Sequence, residues 1–213
     1  MKFEQLLSVL HEQNFFDYAT VTLFFDSESP SSIRTALYRF IKEGKLTSLR
    51  RGLYAFGPRY QKTELISPRV ANLLYQPSYL SERWALGWYG IIPEKVVTFT
   101  SVTPRVTRNF SNDWGDFQYR TINGSTGSGT TIITVSGEKI LIAEAEQALL
   151  DFWYLEGGEW KAAKMDSMRF NPEMIKTERL RFLAENYHSQ TIDASVRNWI
   201  TWADAFDEGV KIL

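Results

Sequence analysis

Hydrophobic positions recur at helical spacing in the stretch that follows Ser29. The apolar positions that share one face are Ile33, Ala36, Leu37, Phe40 and Ile41. This stripe predicts a helix over residues 31–43. Ser29 suits the N-cap, Pro30 the first helical position and Gly44 the stop. The opposite face carries Ser31, Ser32, Thr35, Arg39 and Lys42, with Arg34 and Tyr38 at its flanks.

The pattern changes after Gly44 to two short strands. Leu46–Arg50 and Leu53–Phe56 are strand candidates on either side of the turn Arg51-Gly52. A polar and basic helix followed by a basic hairpin is the layout of a winged helix-turn-helix, whose second helix enters the major groove of DNA. The simpler interpretation is that this helix only presents a solvated face.

Charge placement favours the nucleic-acid interpretation. Residues 30–62 contain eight basic residues and one acid, Glu43, in a chain whose net charge is −1. Lys and Arg that neutralise phosphates supply affinity for DNA independently of sequence. The residues predicted to contact DNA are Ser31, Ser32, Arg34, Thr35, Tyr38, Arg39, Lys42, Lys45, Arg50 and Arg51.

The rest of the chain predicts an α+β protein of two domains. Helices are expected over residues 3–12 and 21–25, which completes a winged helix-turn-helix domain over residues 1–60, with a linker at 58–61. Residues 61–213 predict a second domain. Its expected helices are 67–75, 81–89, 144–155, 171–186 and 193–208, and its expected strands are 96–101, 105–110, 117–122, 130–135 and 139–142. Runs of neighbouring strands predict a mainly antiparallel sheet with a helical C-terminal part.

Composition narrows the class of protein. The 213 residues include no Cys and seven Trp, which excludes disulfides and thiolate metal sites and allows a sizeable core. No signal-peptide run or membrane span is apparent, so we expect a cytoplasmic protein. Residues 125–213 hold nine basic and fourteen acidic residues, net −5. Nucleic acid would be repelled there, so a different role is expected for the second domain.

Three stretches carry a resemblance to a known family. They are ALYRFIKEGKLTSLRRGLYAF, ANLLYQPSYLSERWALGWYGIIPEKVVTFTSVTPRVTRNF and IAEAEQALLDFWYL, which together span about residues 30 to 155. In them the chain resembles the AbiEi-type antitoxins and transcriptional regulators of type IV toxin–antitoxin systems. The second stretch is the most specific of the three.

The resemblance implies a function for each domain. The front domain would bind inverted repeats in its own promoter as two copies on double-stranded DNA. The second domain would neutralise an AbiEii-type nucleotidyltransferase toxin encoded by the adjacent gene. Two alternatives stay open, namely a transcriptional regulator without a toxin partner and a nucleic-acid enzyme with an unrecognised site.

The sequence offers little enzymatic chemistry. The glycines over residues 124–131 have P-loop spacing, but Thr130 replaces the required Lys and a strand-like run follows, so a flexible hairpin tip is the better interpretation. Glu144, Glu146 and Asp151 lie close in sequence, but the first two point to different helix faces. We therefore expect no catalytic residue, metal site or cofactor.

Two further groups of residues have alternative interpretations. Trp84 and Trp88, four positions apart on an apolar helix, could stack bases but fit a core better. Arg105 and Arg108 could extend a DNA footprint or be ordinary exposed strand residues.

Overall fold

A computed structural model describes residues 1–123 and 127–210 as an α+β protein with two sheets. The first elements are helix α1 (Phe3–Leu10), strand β1 (Phe15–Asp17), helices α2 (Tyr18–Phe24) and α3 (Pro30–Lys42), and strands β2 (Leu46–Arg50) and β3 (Leu53–Phe56). Helix α3 and the two hairpin strands, β2 and β3, lie where the sequence predicts them. Strand β1 was not expected, because three residues are too few to show alternation.

The first sheet is antiparallel with the order β1-β3-β2. Phe16, Leu46 and Phe56 on one face join a core cluster with helices α1 and α3. Leu49 and Ala55 on the other face join a second cluster with the rest of the chain. The hairpin is therefore covered on both faces, which a sequence of only nine strand residues does not reveal. The division of the chain at residue 60 stays a prediction.

A second sheet of six strands forms the centre of the remaining chain. In chain order, its six strands and the two helices among them are helix α4 (Ser67–Leu74), strand β4 (Tyr79–Leu80), helix α5 (Glu82–Trp88) and strands β5 (Phe99–Thr103), β6 (Arg108–Asn112), β7 (Gly115–Thr121), β8 (Thr130–Val135) and β9 (Glu138–Ala143). The strand order is β6-β7-β5-β4-β9-β8. A two-residue turn joins β6 to β7, and Ser136 and Gly137 join β8 to β9, as the turn residues predicted.

The expectation of a mainly antiparallel sheet holds for three of the five described strand pairings, and the sheet as a whole is mixed. Strands β5 and β7 run parallel, and so do β4 and β9. In each hairpin the second strand holds the buried apolar residues, such as Tyr119 in β7 and Ile142 in β9. That strand therefore joins the centre of the sheet, and its less buried partner stays at the edge. Burial of the strands, rather than their order along the chain, sets their neighbours.

Helices cover both faces of this sheet. The Tyr119 hydroxyl donates to the carbonyl of Ala71 in α4, whereas the neighbouring Arg120 reaches Glu82 in α5. Successive strand residues point to opposite faces, so α4 and α5 lie on opposite sides. Helix α6 (Ala145–Glu156) packs beside α5.

The C-terminal part is helical but more broken than expected. It contains helices α7 (Ala162–Met168), α8 (Thr177–Ala184) and α9 (Gln190–Val210). The single helix predicted over residues 171–186 is wrong: a 3-10 turn at Pro172–Met174 precedes α8, and another at Glu185–Tyr187 follows it. Ile175, between the first of these turns and α8, has an extended backbone, and its side chain is buried in the core. Among the described helices, none is both long enough and apolar enough to cross a membrane.

Candidate nucleic-acid interface

Helix α3 begins and faces the core as its sequence predicts. The Ser29 hydroxyl accepts a hydrogen bond from the backbone N–H of Ser32 at 3.2 Å, and Pro30 occupies the first turn. Ile33, Leu37 and Phe40 are buried in the first core cluster. Burial of this stripe fixes which face of α3 is turned to solvent.

The predicted contact residues of α3 lie on the solvent side. All seven are exposed: Ser31, Ser32, Arg34, Thr35, Tyr38, Arg39 and Lys42. Thr35, Arg39 and Lys42 follow each other at intervals of four and three, so they form a row about 10 Å long on one side of the helix. The hydroxyls of Ser31 and Ser32 lie 3.0 and 2.9 Å from the Ser29 hydroxyl at the start of that face.

Aromatic rings flank this row. The Arg34 guanidinium lies 5.6 Å from the centroid of the Tyr18 ring in α2, and the Tyr18 hydroxyl donates to the carbonyl of Pro30 at 3.2 Å. Tyr38 is 62% exposed, and the Lys42 ammonium lies 5.4 Å from its ring centroid. The exposed face therefore combines cations with an accessible aromatic ring.

One acidic residue interrupts the cations at the end of α3. The Lys45 ammonium lies 2.8 Å from one Glu43 oxygen, and the Arg39 guanidinium lies 3.8 Å from the other. The hydrogen bond from Lys45 lowers the pKa of Glu43 and raises the pKa of Lys45. Lys45 also lies over the Phe3 ring. Part of the charge of Lys45 is thus compensated by Glu43 of the same chain.

The two arginines at the hairpin have different surroundings. Arg50 is half-buried, and its Nε donates to the carbonyl of Leu74 in α4 at 2.6 Å. Arg51 is exposed. The turn itself is held in place, since Gly52 has a φ of +78° and its carbonyl accepts from the backbone N–H of Tyr18 at 2.8 Å. The sequence pattern treats the two arginines alike, but only Arg51 is turned to solvent.

A second group of ionisable residues lies inside the larger core. Asp151 in α6 is fully buried and accepts hydrogen bonds from Ser81 at 2.5 Å, Tyr187 at 2.5 Å and Gln147 at 3.0 Å. Burial raises the pKa of Asp151 to about 6 despite these donors. Ser81 occupies the N-cap position of α5, but its hydroxyl donates to Asp151 and does not cap the helix.

Glu82 is the second buried carboxylate. Its Oε2 lies 2.7 Å from a guanidinium nitrogen of Arg120, which also reaches Glu156 at 3.0 Å. Burial raises the pKa of Glu82 to about 7, and Arg120 opposes this shift. Asp151 and the Oε2 atom of Glu82 are held by donors of the same chain, whereas Glu82 Oε1 is buried without a hydrogen-bond partner among the described residues. We assign both carboxylates to packing. Sequence reasoning considered Asp151 only as a neighbour of Glu144 and Glu146 and did not consider Glu82. It missed the contacts with Ser81 and Arg120, because these partners are distant in sequence.

The remaining acidic candidates also have partners within the protein. Glu144 pairs with Arg179 at 2.8 Å, and Glu146 accepts from the backbone N–H of Lys176 at 2.8 Å. In residues 1–123 and 127–210 no cluster of three or more His, Asp or Glu side chains is placed to hold a metal. Residues 124–126 of the glycine-rich stretch lie outside the described residues, and Gly129 is buried against Gln147.

The tryptophan and arginine pairs divide between core and surface. Trp84 is buried as expected, and its ring stacks at 5.6 Å on that of Trp88, which is 46% exposed. Arg105 and Arg108 are exposed and lie over the Tyr75 ring, with centroid distances of 4.5 and 5.5 Å.

Comparisons with known proteins add no assignment to this geometry. No family model matches the chain, and a search of curated proteins finds no match. The exposed face of α3 is therefore interpreted from its own residues.

Proposed function

We propose that residues 1–60 form a winged helix-turn-helix domain that binds double-stranded DNA. The observation that carries this proposal is the exposed row of Thr35, Arg39 and Lys42, opposite a buried apolar stripe. The order of helices α2 and α3 followed by an antiparallel hairpin also supports it. The local charge adds to this, because residues 30–62 carry eight basic residues against one acid.

Each contact residue receives a role from its position. Thr35 in the middle of α3 and Arg39 in its last turn would read base edges in the major groove. Ser31 and Ser32 at the start of α3 would contact phosphate or base edges. Arg51 would contact the DNA backbone from the hairpin turn. Arg50 is removed from the proposed contact set, because its guanidinium is bonded to the carbonyl of Leu74.

The DNA proposal is tested on a duplex from the chain's own promoter. Arg39→Ala should weaken specific binding by about 1–3 kcal/mol if the side chain bonds a guanine. Arg59→Ala removes the same charge from an exposed position outside α3 and is the matched control. Gel shift at fixed salt measures both. Wild-type affinity in the Arg39→Ala protein would remove Arg39 from the interface.

The second part of the proposal is that this cytoplasmic autorepressor is the antitoxin of a nucleotidyltransferase toxin from the adjacent gene. The resemblance to AbiEi-type antitoxins supports it. Two of the three stretches that carry it are in contact, because Ser81 from the second stretch donates to Asp151 in the third.

The antitoxin role is tested by separating it from DNA binding. The double variant Arg39→Ala, Arg51→Ala is expressed with the adjacent toxin, which is transcribed from an independent promoter. Loss of operator repression with continued rescue of growth is expected, since the acidic second domain would neutralise the toxin. Loss of rescue at normal abundance of folded protein would show that both roles need the basic surface.

Two alternatives are decided by simple observations. A regulator without a toxin is favoured if the adjacent reading frame lacks a nucleotidyltransferase signature. A nucleic-acid enzyme is favoured if the purified chain degrades DNA or RNA in assays supplemented with divalent metal ions.

A further inference from the structure

Strand β8 forms one free edge of the six-stranded sheet. Its sequence, Thr-Thr-Ile-Ile-Thr-Val, contains six β-branched residues and neither a charge nor a proline. Its pairing with β9 is continuous from Thr130 to Val135, without a bulge. Natural edge strands are usually protected by charges, prolines or bulges, and an unprotected edge is a template for another strand.

The contacts of β9 show which backbone groups of β8 face outward. Asn72 in α4 donates to the carbonyl of Leu141 at 3.0 Å and accepts from its N–H at 2.7 Å. Leu141 therefore directs both groups away from β8. Leu141 is opposite Ile132, and in an antiparallel pair such positions alternate with hydrogen-bonded ones. Ile132 and Thr134 thus direct their N–H and C=O groups to the open edge.

Two contacts at the start of the hairpin agree with this alternation. The N–H of Thr130 turns outward to the carbonyl of Gly127 at 3.0 Å. The carbonyl of Gly129 turns inward to the N–H of Glu144 at 2.7 Å. Among the described residues, the backbone groups of Ile132 and Thr134 have no hydrogen-bond partner outside the sheet. The side chain of Ile132 is also 63% exposed, next to the partly exposed Leu141.

The opposite edge of the same sheet is protected. Strand β6 begins with the exposed cation Arg108, and its last residue, Asn112, donates to the carbonyl of Leu49 in the hairpin. One edge therefore carries a charge and a contact with the first hairpin, whereas among the described residues β8 carries no charge and the outward backbone groups of Ile132 and Thr134 have no partner. This asymmetry points to β8 as the edge that accepts a partner.

We propose that β8 pairs antiparallel with β8 of a second copy of this chain, about a two-fold axis. A two-fold interface must be self-complementary, and an uncharged strand places no like charges opposite each other. In the register that places Ile132 opposite the partner's Thr134, two residue pairs exchange four backbone hydrogen bonds. The exposed Ile132 side chain is then covered by the neighbouring strand. The two sheets join into one of twelve strands.

This pairing goes beyond the proposed function and is measurable without DNA. It would place two copies of α3 in one particle, which suits an inverted repeat. Failure of DNA binding would leave the pairing intact, and failure of the pairing would leave binding to a single half-site intact. Each proposal can therefore be refuted without refuting the other.

Sedimentation equilibrium over a concentration series tests the pairing. Thr134→Pro removes an outward N–H and leaves the β8–β9 hydrogen bonds in place, because the Thr134 N–H does not face β9. It should weaken self-association at least about tenfold, since the two-fold axis doubles the loss. Thr134→Val keeps the backbone donor and the branched shape, and should associate like the wild type.

Circular dichroism and a thermal melt establish that each variant is folded. If Thr134→Pro does not fold, Ile132→Lys replaces it, with Ile132→Thr as its control, because a charge at the edge opposes pairing. A wild type that stays monomeric up to millimolar concentration overturns the proposal. So does undiminished association of a folded Thr134→Pro or Ile132→Lys protein. Pairing of β8 only with the adjacent gene's product would equally overturn it.

Discussion

The charges of the first 62 residues and those of the larger core are used differently. On α3 the cations Arg39 and Lys42 are exposed, while the fold depends on the apolar stripe behind them. In the larger core Asp151 and Glu82 are buried and held by donors from their own chain. Charges that the fold does not need remain available to a partner, whereas buried charges fix the packing. This difference separates a surface for binding from a network for stability.

The largest expected effect comes from breaking the buried network. Asp151→Ala leaves Ser81 and Tyr187 without their acceptor inside the core, so the free energy of unfolding should fall by about 3 kcal/mol. Urea denaturation measures it. Asp204→Ala removes an exposed acid of α9 and should change stability by less than about 0.5 kcal/mol. Equal small effects from both variants would mean that Asp151 is dispensable for packing.

The second effect is a dependence of stability on pH. Burial raises the folded-state pKa of Glu82 from 4.5 to about 7 and that of Asp151 from 3.8 to about 6. The folded state then holds protons that the unfolded state has released, so stability should fall as pH rises through this window.

Glu82→Gln cannot ionise at position 82, so it removes the contribution of Glu82 to the pH dependence of the unfolding free energy. Between pH of about 5 and about 8, the wild type should lose on the order of 2 kcal/mol more unfolding free energy than the variant. Glu64→Gln, at an exposed position, is the control. Denaturation curves at several pH values measure the difference. A wild type that gains stability over this window would show that Glu82 is ionised in the folded protein with little penalty.

The two hairpin arginines should separate stability from DNA binding. Arg50→Ala removes a hydrogen bond to Leu74 and should cost about 1 kcal/mol of stability, with the salt dependence of DNA binding unchanged. Arg51→Ala should leave stability unchanged and reduce the slope of log affinity against log salt by roughly 1. Denaturation and binding titrations across salt concentrations measure both. The reverse assignment would place Arg50 on the DNA.

The smallest expected effect is a gain of affinity. Glu43→Gln removes the one acid beside Arg39 and Lys45, so DNA binding should tighten about threefold at low salt. Glu12→Gln removes an acid from its pair with Lys62, outside α3, and is the control. Fluorescence anisotropy with a labelled duplex resolves such a change. Weaker binding by Glu43→Gln would show that Glu43 positions the cations rather than opposing the phosphates.

Local signals predicted helix α3 and its hairpin well. The N-cap at Ser29, the apolar stripe and the glycines at the turns act over a few residues, and a single sequence displays them. The mixed order of the six-stranded sheet was not predictable in this way, since burial selects which strands are central. The same holds for the extended backbone at Ile175, which its place in the core determines.

In the candidate site, too, local features could be predicted from the sequence and long-range contacts could not. The exposed face of α3 could be predicted, because a helix with one apolar stripe has only one face left for solvent. The separate roles of Arg50 and Arg51 could not, since Leu74 is 24 residues away in sequence. The bond between Ser81 and Asp151, 70 residues apart, was equally invisible. Contacts between distant residues are what the sequence pattern leaves open.

Cross-linking to DNA from α3 tests the central claim most directly. A photoreactive phenylalanine analogue is placed at Tyr38 or, as the matched control, at Phe182, an aromatic residue of α8 that is 58% exposed. Tyr38 is 62% exposed, so neither replacement disturbs the core. With the promoter duplex, irradiation should cross-link the protein from position 38 and not from position 182. Cross-links from position 182 alone would contradict DNA binding through α3.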